Sequence, residues 1–201
     1  VIRGATDLQR LIEKVALDRT TDHRLELGDA LHELFNGAGR MIREEAHKRR
    51  VVGMASTLLV ATVVGHYAYI AHVGDSRVYR IRDGKMEQLT DDHSLLNDYI
   101  KMKDLTPQEI ENFPHKNVIV RALGMKATVQ VDVDHEEPED GDIYMLCSDG
   151  LNGMIDDETI RKIMAENRED LEQCCNKLIA AANENGGTDN VTVVCVEVRK
   201  Q

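Results

Sequence analysis

Two acidic residues stand where a folded chain can hold a carboxylate at a fixed point. Asp149 follows the apolar run Ile143-Tyr144-Met145-Leu146-Cys147 and precedes Gly150. Asp189 lies in Gly186-Gly187-Thr188-Asp189-Asn190, directly before Val191-Thr192-Val193-Val194. A strand-like run fixes the carboxylate, and the neighbouring glycines let the backbone bend and a ligand come close. Two carboxylates brought together in this way repel each other unless a cation lies between them. Hard oxygen donors of this kind suit Mg²⁺ or Mn²⁺. Asp75, in Gly74-Asp75-Ser76-Arg77, is a third candidate. Any one Asp-Gly or Gly-Asp pair is ordinarily a turn, so the weight rests on several such runs in one order.

Other chemistries fare worse. Cys147 is followed by Ser148-Asp149-Gly150-Leu151-Asn152-Gly153, with none of the arginine that a phosphate-cradling cysteine loop needs. The four cysteines, Cys147, Cys174, Cys175 and Cys195, match no zinc spacing. They read as small buried hydrophobes in a reducing compartment.

The elements that must position these residues follow from periodicity. A helical segment is expected over residues 1–50. Its first helix opens on a Thr6–Gln9 capping box and carries Leu8, Leu11, Ile12 and Val15. After a polar break at residues 18–22, a longer helix carries Leu27, Leu31, Leu34, Phe35, Ala38, Met41, Ile42 and Ala46 and ends in Lys48-Arg49-Arg50. Strands are predicted over 56–64, 66–72, 77–82 and 86–89, with a hairpin turn at Arg82-Asp83-Gly84-Lys85. Their direct succession predicts an antiparallel meander. Residues 91–117 read as a polar, helical excursion with a capped start at Thr106-Pro107-Gln108-Glu109. Further strands are expected over 118–120, 129–133, 142–146 and 191–198. Helices are expected over 157–165, capped by Asp156, and over 169–183. The order predicts an α+β fold of two stacked antiparallel sheets flanked by helices, as a single domain over 1–201.

A chain of 201 residues suits one domain. The net charge of −11 argues against general nucleic-acid binding, which needs a basic surface. No apolar run reaches the length of a bilayer span, so no membrane partner is expected. Most of the acidic groups read as solvated surface.

Six runs then stand in order over residues 53–192. They are Gly53-Met54-Ala55-Ser56-Thr57, His72-Val73-Gly74-Asp75-Ser76-Arg77, Leu89-Thr90-Asp91-Asp92-His93-Ser94, Val120-Arg121-Ala122-Leu123-Gly124, Cys147-Ser148-Asp149-Gly150-Leu151 and Gly187-Thr188-Asp189-Asn190-Val191-Thr192. Each is modest alone, but the ordered set is similar to the metal-dependent protein phosphatases of type 2C, above all the compact bacterial ones. The resemblance implies an α-β-β-α sandwich with a binuclear Mn²⁺/Mg²⁺ centre in a cleft between the sheets. It implies hydrolysis of phosphoserine and phosphothreonine by a metal-activated water, without a phosphoenzyme. Asp149 and Asp189 would bind one catalytic metal, and Asp75 with Asp149 a third, weaker one. Residues 91–117 match the flap that governs substrate choice. Phosphoprotein substrates, a serine/threonine kinase as counterpart, a signalling role and a cytoplasmic location follow by the same analogy.

The chain also departs from the pattern. The family's first motifs are an acidic residue after an Asn and then an Asp-Gly-x-Gly-Gly run whose Asp bridges the two metals. Here Asp7, Asp18, Asp22 and Asp29 are followed by Leu, Arg, His and Ala, so none matches. The family's phosphate-binding Arg and acid-catalyst His have no assigned position either, and His66 and His72 read as strand histidines. The sheets are therefore expected to be incomplete at the N-terminus. A start at Val1-Ile2-Arg3-Gly4, with neither an initiator Met nor a signal-peptide pattern, reads as a trimmed or partial chain. A rival to the enzyme is a catalytically inactive relative that binds proteins as a regulatory module.

Overall fold

The periodic apolar residues from Leu27 onward form one long helix, α1 (Arg24–Arg49), in a computed structural model that describes residues 24–103, 105–116 and 118–200. The first of the two expected helices, with its Thr6–Gln9 cap, lies outside the described residues. The chain divides into two compact units. One falls within Val1–Gly74 and Asp92–Glu137, the other within Asp75–Asp91 and Pro138–Gln201.

In the first unit, Leu27, Leu31 and Phe35 recur every four residues on α1 and are fully buried. They pack with Val64, Tyr69, Ala71, Val73, Leu123 and Val131. Burial of each such side chain contributes about 1.5–3 kcal/mol. The last turn of α1 carries His47, Lys48 and Arg49, which suits the negative end of the helix dipole. Beneath it lies a three-stranded antiparallel sheet of β1 (Leu58–Val64), β2 (Tyr67–Val73) and β5 (Asp132–Glu136), in the order β1-β2-β5. Two short helices, α2 (Leu95–Met102) and α3 (Pro107–Glu111), fill the excursion. Ser94 caps α2 by accepting the Asn97 N–H at 3.2 Å. Thr106 supplies the anticipated cap of α3, and Glu109 reaches back to complete a capping box with it.

The second unit holds a four-stranded antiparallel sheet of β3 (Arg77–Arg82), β4 (Lys85–Gln88), β6 (Ile143–Cys147) and β7 (Val193–Glu197), in the order β4-β3-β6-β7. The β3–β4 turn has positive φ at Asp83 (50°) and Gly84 (74°), as a two-residue hairpin of Asp-Gly type requires. Three helices follow β6: α4 (Asp149–Asn152), α5 (Asp157–Glu166) and α6 (Leu171–Glu184). Asp156 caps α5 through the Thr159 N–H at 2.8 Å, and Asp170 caps α6 through that of Gln173 at 2.9 Å. Ile160, Met164, Cys174, Leu178 and Ala182 from these helices cover Tyr79, Ile81, Ile143, Met145 and Cys147 of the sheet. At one edge of this unit Arg82 grips the buried Asp142 with two bonds, 2.8 and 2.6 Å long.

Two antiparallel sheets flanked by helices confirm the α+β class. Four details differ from expectation. First, the meander is broken: β2 and β3 belong to different sheets. The change comes at Gly74, whose φ is 119° and where a Cβ would lie 2.3 Å from the Thr57 Cγ2. Second, residues 118–120 form no strand. Val118 C=O accepts the Leu95 N–H and Val120 N–H donates to His93 C=O, so only a single bridge, Ser94 to Ile119, remains. Third, the strand expected over 129–133 starts later, at Asp132. The side chain of Asn36 on α1 takes both polar groups of Val129, accepting its N–H at 2.9 Å and donating to its C=O at 3.4 Å. Fourth, all four cysteines are thiols outside any disulfide, but only Cys147 and Cys174 are buried, while Cys175 and Cys195 are half-buried.

Candidate metal centre

The ladders of the second sheet decide where its loops emerge. The β3–β6 pairing ends with Arg77 opposite Cys147. Two residues beyond, one flanking each strand, come Asp75 and Asp149. The β6–β7 pairing ends with Cys147 opposite Val193, four residues after Asp189. Antiparallel order thus carries all three carboxylates to one end of one sheet.

The Asp149 and Asp189 loops are stitched together by Ser148. Its hydroxyl donates to the Asn190 C=O at 3.1 Å and accepts the Thr192 N–H at 3.0 Å. Its own N–H donates to the Thr192 C=O at 3.1 Å. Gly150 is buried, and a Cβ on it would lie 2.3 Å from the Asn190 carbonyl oxygen, so only glycine permits this approach. Asp189 Oδ1 accepts the Asn190 N–H at 2.7 Å, which orients its carboxylate. Asp75 is 8 % exposed, Asp149 is half-buried and Asp189 is exposed. Among the described residues, neither Asp149 nor Asp189 makes an ion pair. Three carboxylates, with no His or Cys among them, are hard oxygen donors of the kind that suits a divalent cation. Arg77, which follows Asp75 by two residues, donates to the Tyr79 hydroxyl at 2.8 Å, and Tyr79 donates to Asp157 at 2.9 Å. Burial pushes the Tyr79 hydroxyl well above the ordinary tyrosine range, so it stays a donor.

The three carboxylates do not form a tight trio. Among the described residues, the group of His, Cys, Asp or Glu side chains whose ligand atoms all lie within 4.8 Å of one another is His72, His93 and Asp132, in the first unit. His72 on β2 faces Asp132 on β5 in the ladder, and its ring stacks on that of His93 at 4.6 Å. His93 Nδ1 accepts the Gly74 N–H at 3.0 Å, so the proton sits on Nε2, which donates to Asp132 at 3.1 Å. Arg121 donates to the other oxygen of Asp132 at 2.5 Å and lies 2.9 Å from His93 Nε2. Burial pushes the His93 pKa below its usual value, and the charge of Arg121 adds to this against the pull of Asp132. Burial raises the Asp132 pKa, but its bonds to His93 and Arg121 outweigh that and hold it below the carboxylate norm. A metal on His93 Nε2 would require an imidazolate beside a guanidinium. The group is therefore a hydrogen-bonded brace and not an ion site. In the sequence His72 reads as a strand histidine, His93 and Arg121 stand only within the ordered runs, and Asp132 carries no local signal. Their meeting depends on long-range pairing that no local pattern announces.

A family model for protein phosphatase 2C matches residues 3–191. The protein phosphatase PhpP of Streptococcus pneumoniae is 39 % identical over 159 residues, which are 79 % of this chain and 63 % of that protein. The match thus spans less than two thirds of this relative. The solved serine/threonine phosphatase of S. agalactiae superimposes with a TM-score of 0.81 at 31 % identity, covering 95 % of this chain and 80 % of that one. The catalytic domain of the phosphatase PstP, solved with two manganese ions, gives 0.76 at 28 % identity, covering 98 % and 81 %. Matched by the family over nearly its whole length and by solved members in fold, the chain belongs to the protein phosphatase 2C family.

Proposed function

We propose that this chain acts as a protein serine/threonine phosphatase, a single phosphatase-like domain over 1–201, with Asp149, Asp189 and Asp75 as metal ligands. The observation that carries the reading is the placement of the three carboxylates at one end of the β4-β3-β6-β7 sheet, two of them on loops stitched by Ser148. The relatives' names support the reaction class, and the PstP neighbour's manganese ions support the choice of cation. Bound there, Mn²⁺ or Mg²⁺ would activate a water nucleophile and offset the charge on the phosphoryl oxygens.

The chain's own residues supply position and charge. Asp149 and Asp189 share a catalytic cation, and Asp75 with Asp149 holds a further, weaker one. Ser148 and Gly150 fix the Asn190 peptide and with it the reach of Asp189. The segment 91–117, built of two capped helices, selects among phosphoprotein substrates in a signalling pair with a serine/threonine kinase, in the cytoplasm. Among the described residues, no helix is long and apolar enough to cross a membrane.

Hydrolysis of a phosphothreonine peptide, with and without Mn²⁺, tests the proposal. Mn²⁺-dependent phosphate release is expected, with loss in Asp149→Asn and Asp189→Asn. Metal binding without hydrolysis is the outcome expected of a binding module. Activity that survives both substitutions would sink the ligand assignment.

A further inference from the structure

We propose that His93 is a positioning residue for Asp75, acting through the Gly74 peptide; the proposal rests on the reading of Asp75 as a metal ligand. Gly74 is where the chain leaves the first sheet. Its φ of 119° lies in the range that favours glycine, and Thr57 crowds it, since a Cβ would lie 2.3 Å from Thr57 Cγ2. A backbone with glycine's freedom holds one conformation only if its polar groups are tied. Both are tied by one residue: the Gly74 N–H donates to His93 Nδ1 at 3.0 Å, and the Gly74 C=O accepts the His93 backbone N–H at 3.0 Å.

The ring that closes this clasp is itself held at its edge and on its face. Its Nε2–H donates to Asp132 at 3.1 Å, its face stacks on His72, and Arg121 pins Asp132. The Gly74 N–H, which needs the Nδ1 lone pair, fixes the tautomer and leaves the Nε2 proton toward Asp132. Asp75 is the next residue, its Cα about 3.8 Å along the chain. A rotation of the Gly74 peptide would move the Asp75 carboxylate with it. The brace thus acts as an outer support of a ligand residue, of the kind whose loss costs about 10–100-fold in metal affinity.

Two substitutions separate this role from packing. The amide oxygen of Asn lies near the place of a histidine Nδ1, and the amide nitrogen of Gln near that of Nε2. His93→Asn keeps an acceptor for Gly74, whereas His93→Gln keeps a donor for Asp132 and loses that acceptor. Mn²⁺ binding is measured by equilibrium dialysis on the whole chain, with thermal melts in parallel. Wild type and H93N are expected to agree within a few-fold at the weakest Mn²⁺ site. H93Q is expected to lose about tenfold or more there, with tighter sites unchanged. In an Asp75→Asn background, H93Q should add no further loss. Equal Mn²⁺ binding by H93N and H93Q, or additive losses with D75N, would overturn the proposal. Absence of any Mn²⁺ binding by wild type, or binding unaltered by D75N, would overturn the reading of Asp75 as a ligand, and this proposal with it.

Discussion

Gly150→Ala is the smallest change that reaches the candidate centre. The added Cβ would lie 2.3 Å from the Asn190 carbonyl oxygen and 2.9 Å from its carbon, both backbone atoms that no rotamer can move. Ordinary contact begins at 3.4 Å, so the Asn190 peptide must retreat by about 1.1 Å. That retreat stretches the 3.1 Å bond from the Ser148 hydroxyl to Asn190 beyond hydrogen-bonding range. Asp189, whose carboxylate is oriented by the Asn190 N–H, moves as well. A misplacement of about 1 Å at a reacting centre can cost about 10²-fold. Stability changes less: overpacking costs about 1–3 kcal/mol, and replacing a helical glycine by alanine returns up to about 1 kcal/mol. The assay is kcat/KM for a phosphothreonine peptide under saturating Mn²⁺, with a thermal melt beside it. A fall of about 10²-fold is expected, with Tm lowered by a few degrees only. Wild-type kcat/KM in a folded G150A protein would refute the claim that this close approach sets the position of Asp189.

The other predictions concern the framework. Phe35→Ala removes a fully buried ring from the α1 core and is expected to cost about 3–5 kcal/mol in urea unfolding; a loss below 1 kcal/mol would show that α1 is not the lid of that core. Asn36→Ala leaves the Val129 peptide without its two partners and is expected to cost about 1–3 kcal/mol, read from the same urea midpoints; an unchanged midpoint would count against its role in delaying β5. Burial raises the Asp142 pKa, but the bonds from Arg82 and the Glu139 N–H outweigh it and hold it below the ordinary value. The folded-state pKa is thus depressed, so this pair's stability is present above the unfolded value of about 3.9 and is lost as pH falls through the folded one. The Tm gap between wild type and Arg82→Ala should be open at pH 6 and narrow steadily below about pH 4; a gap independent of pH would contradict the linkage.

Much of the framework was legible because it is local. Thr106 and Asp156 cap the helices that their spacing announced, and Asp83-Gly84 makes its hairpin. The apolar run before Asp149 became β6, so the carboxylate at its end could be named from the sequence. What escaped depends on partners distant in the chain. Asn36 displaces the start of β5, and no pattern near Val129 records it. The change of sheet comes at Gly74, which Thr57 crowds and His93 bonds, both distant from it in the sequence. The His72, His93, Arg121 and Asp132 brace is assembled by the β2–β5 register, which single-strand periodicity does not fix. The tight His-His-Asp group is the more ion-like by distance, yet its tautomer and its arginine argue against an ion there.

We propose that Asp149 and Asp189 together hold a divalent cation at the end of the second sheet. Equilibrium dialysis against Mn²⁺, comparing wild type with the Asp149→Asn/Asp189→Asn double variant, tests it most directly, because asparagine keeps the shape and removes the charge. Wild type is expected to bind Mn²⁺, and the folded double variant to lose at least one bound ion. Superimposable binding curves for the two folded proteins would contradict it.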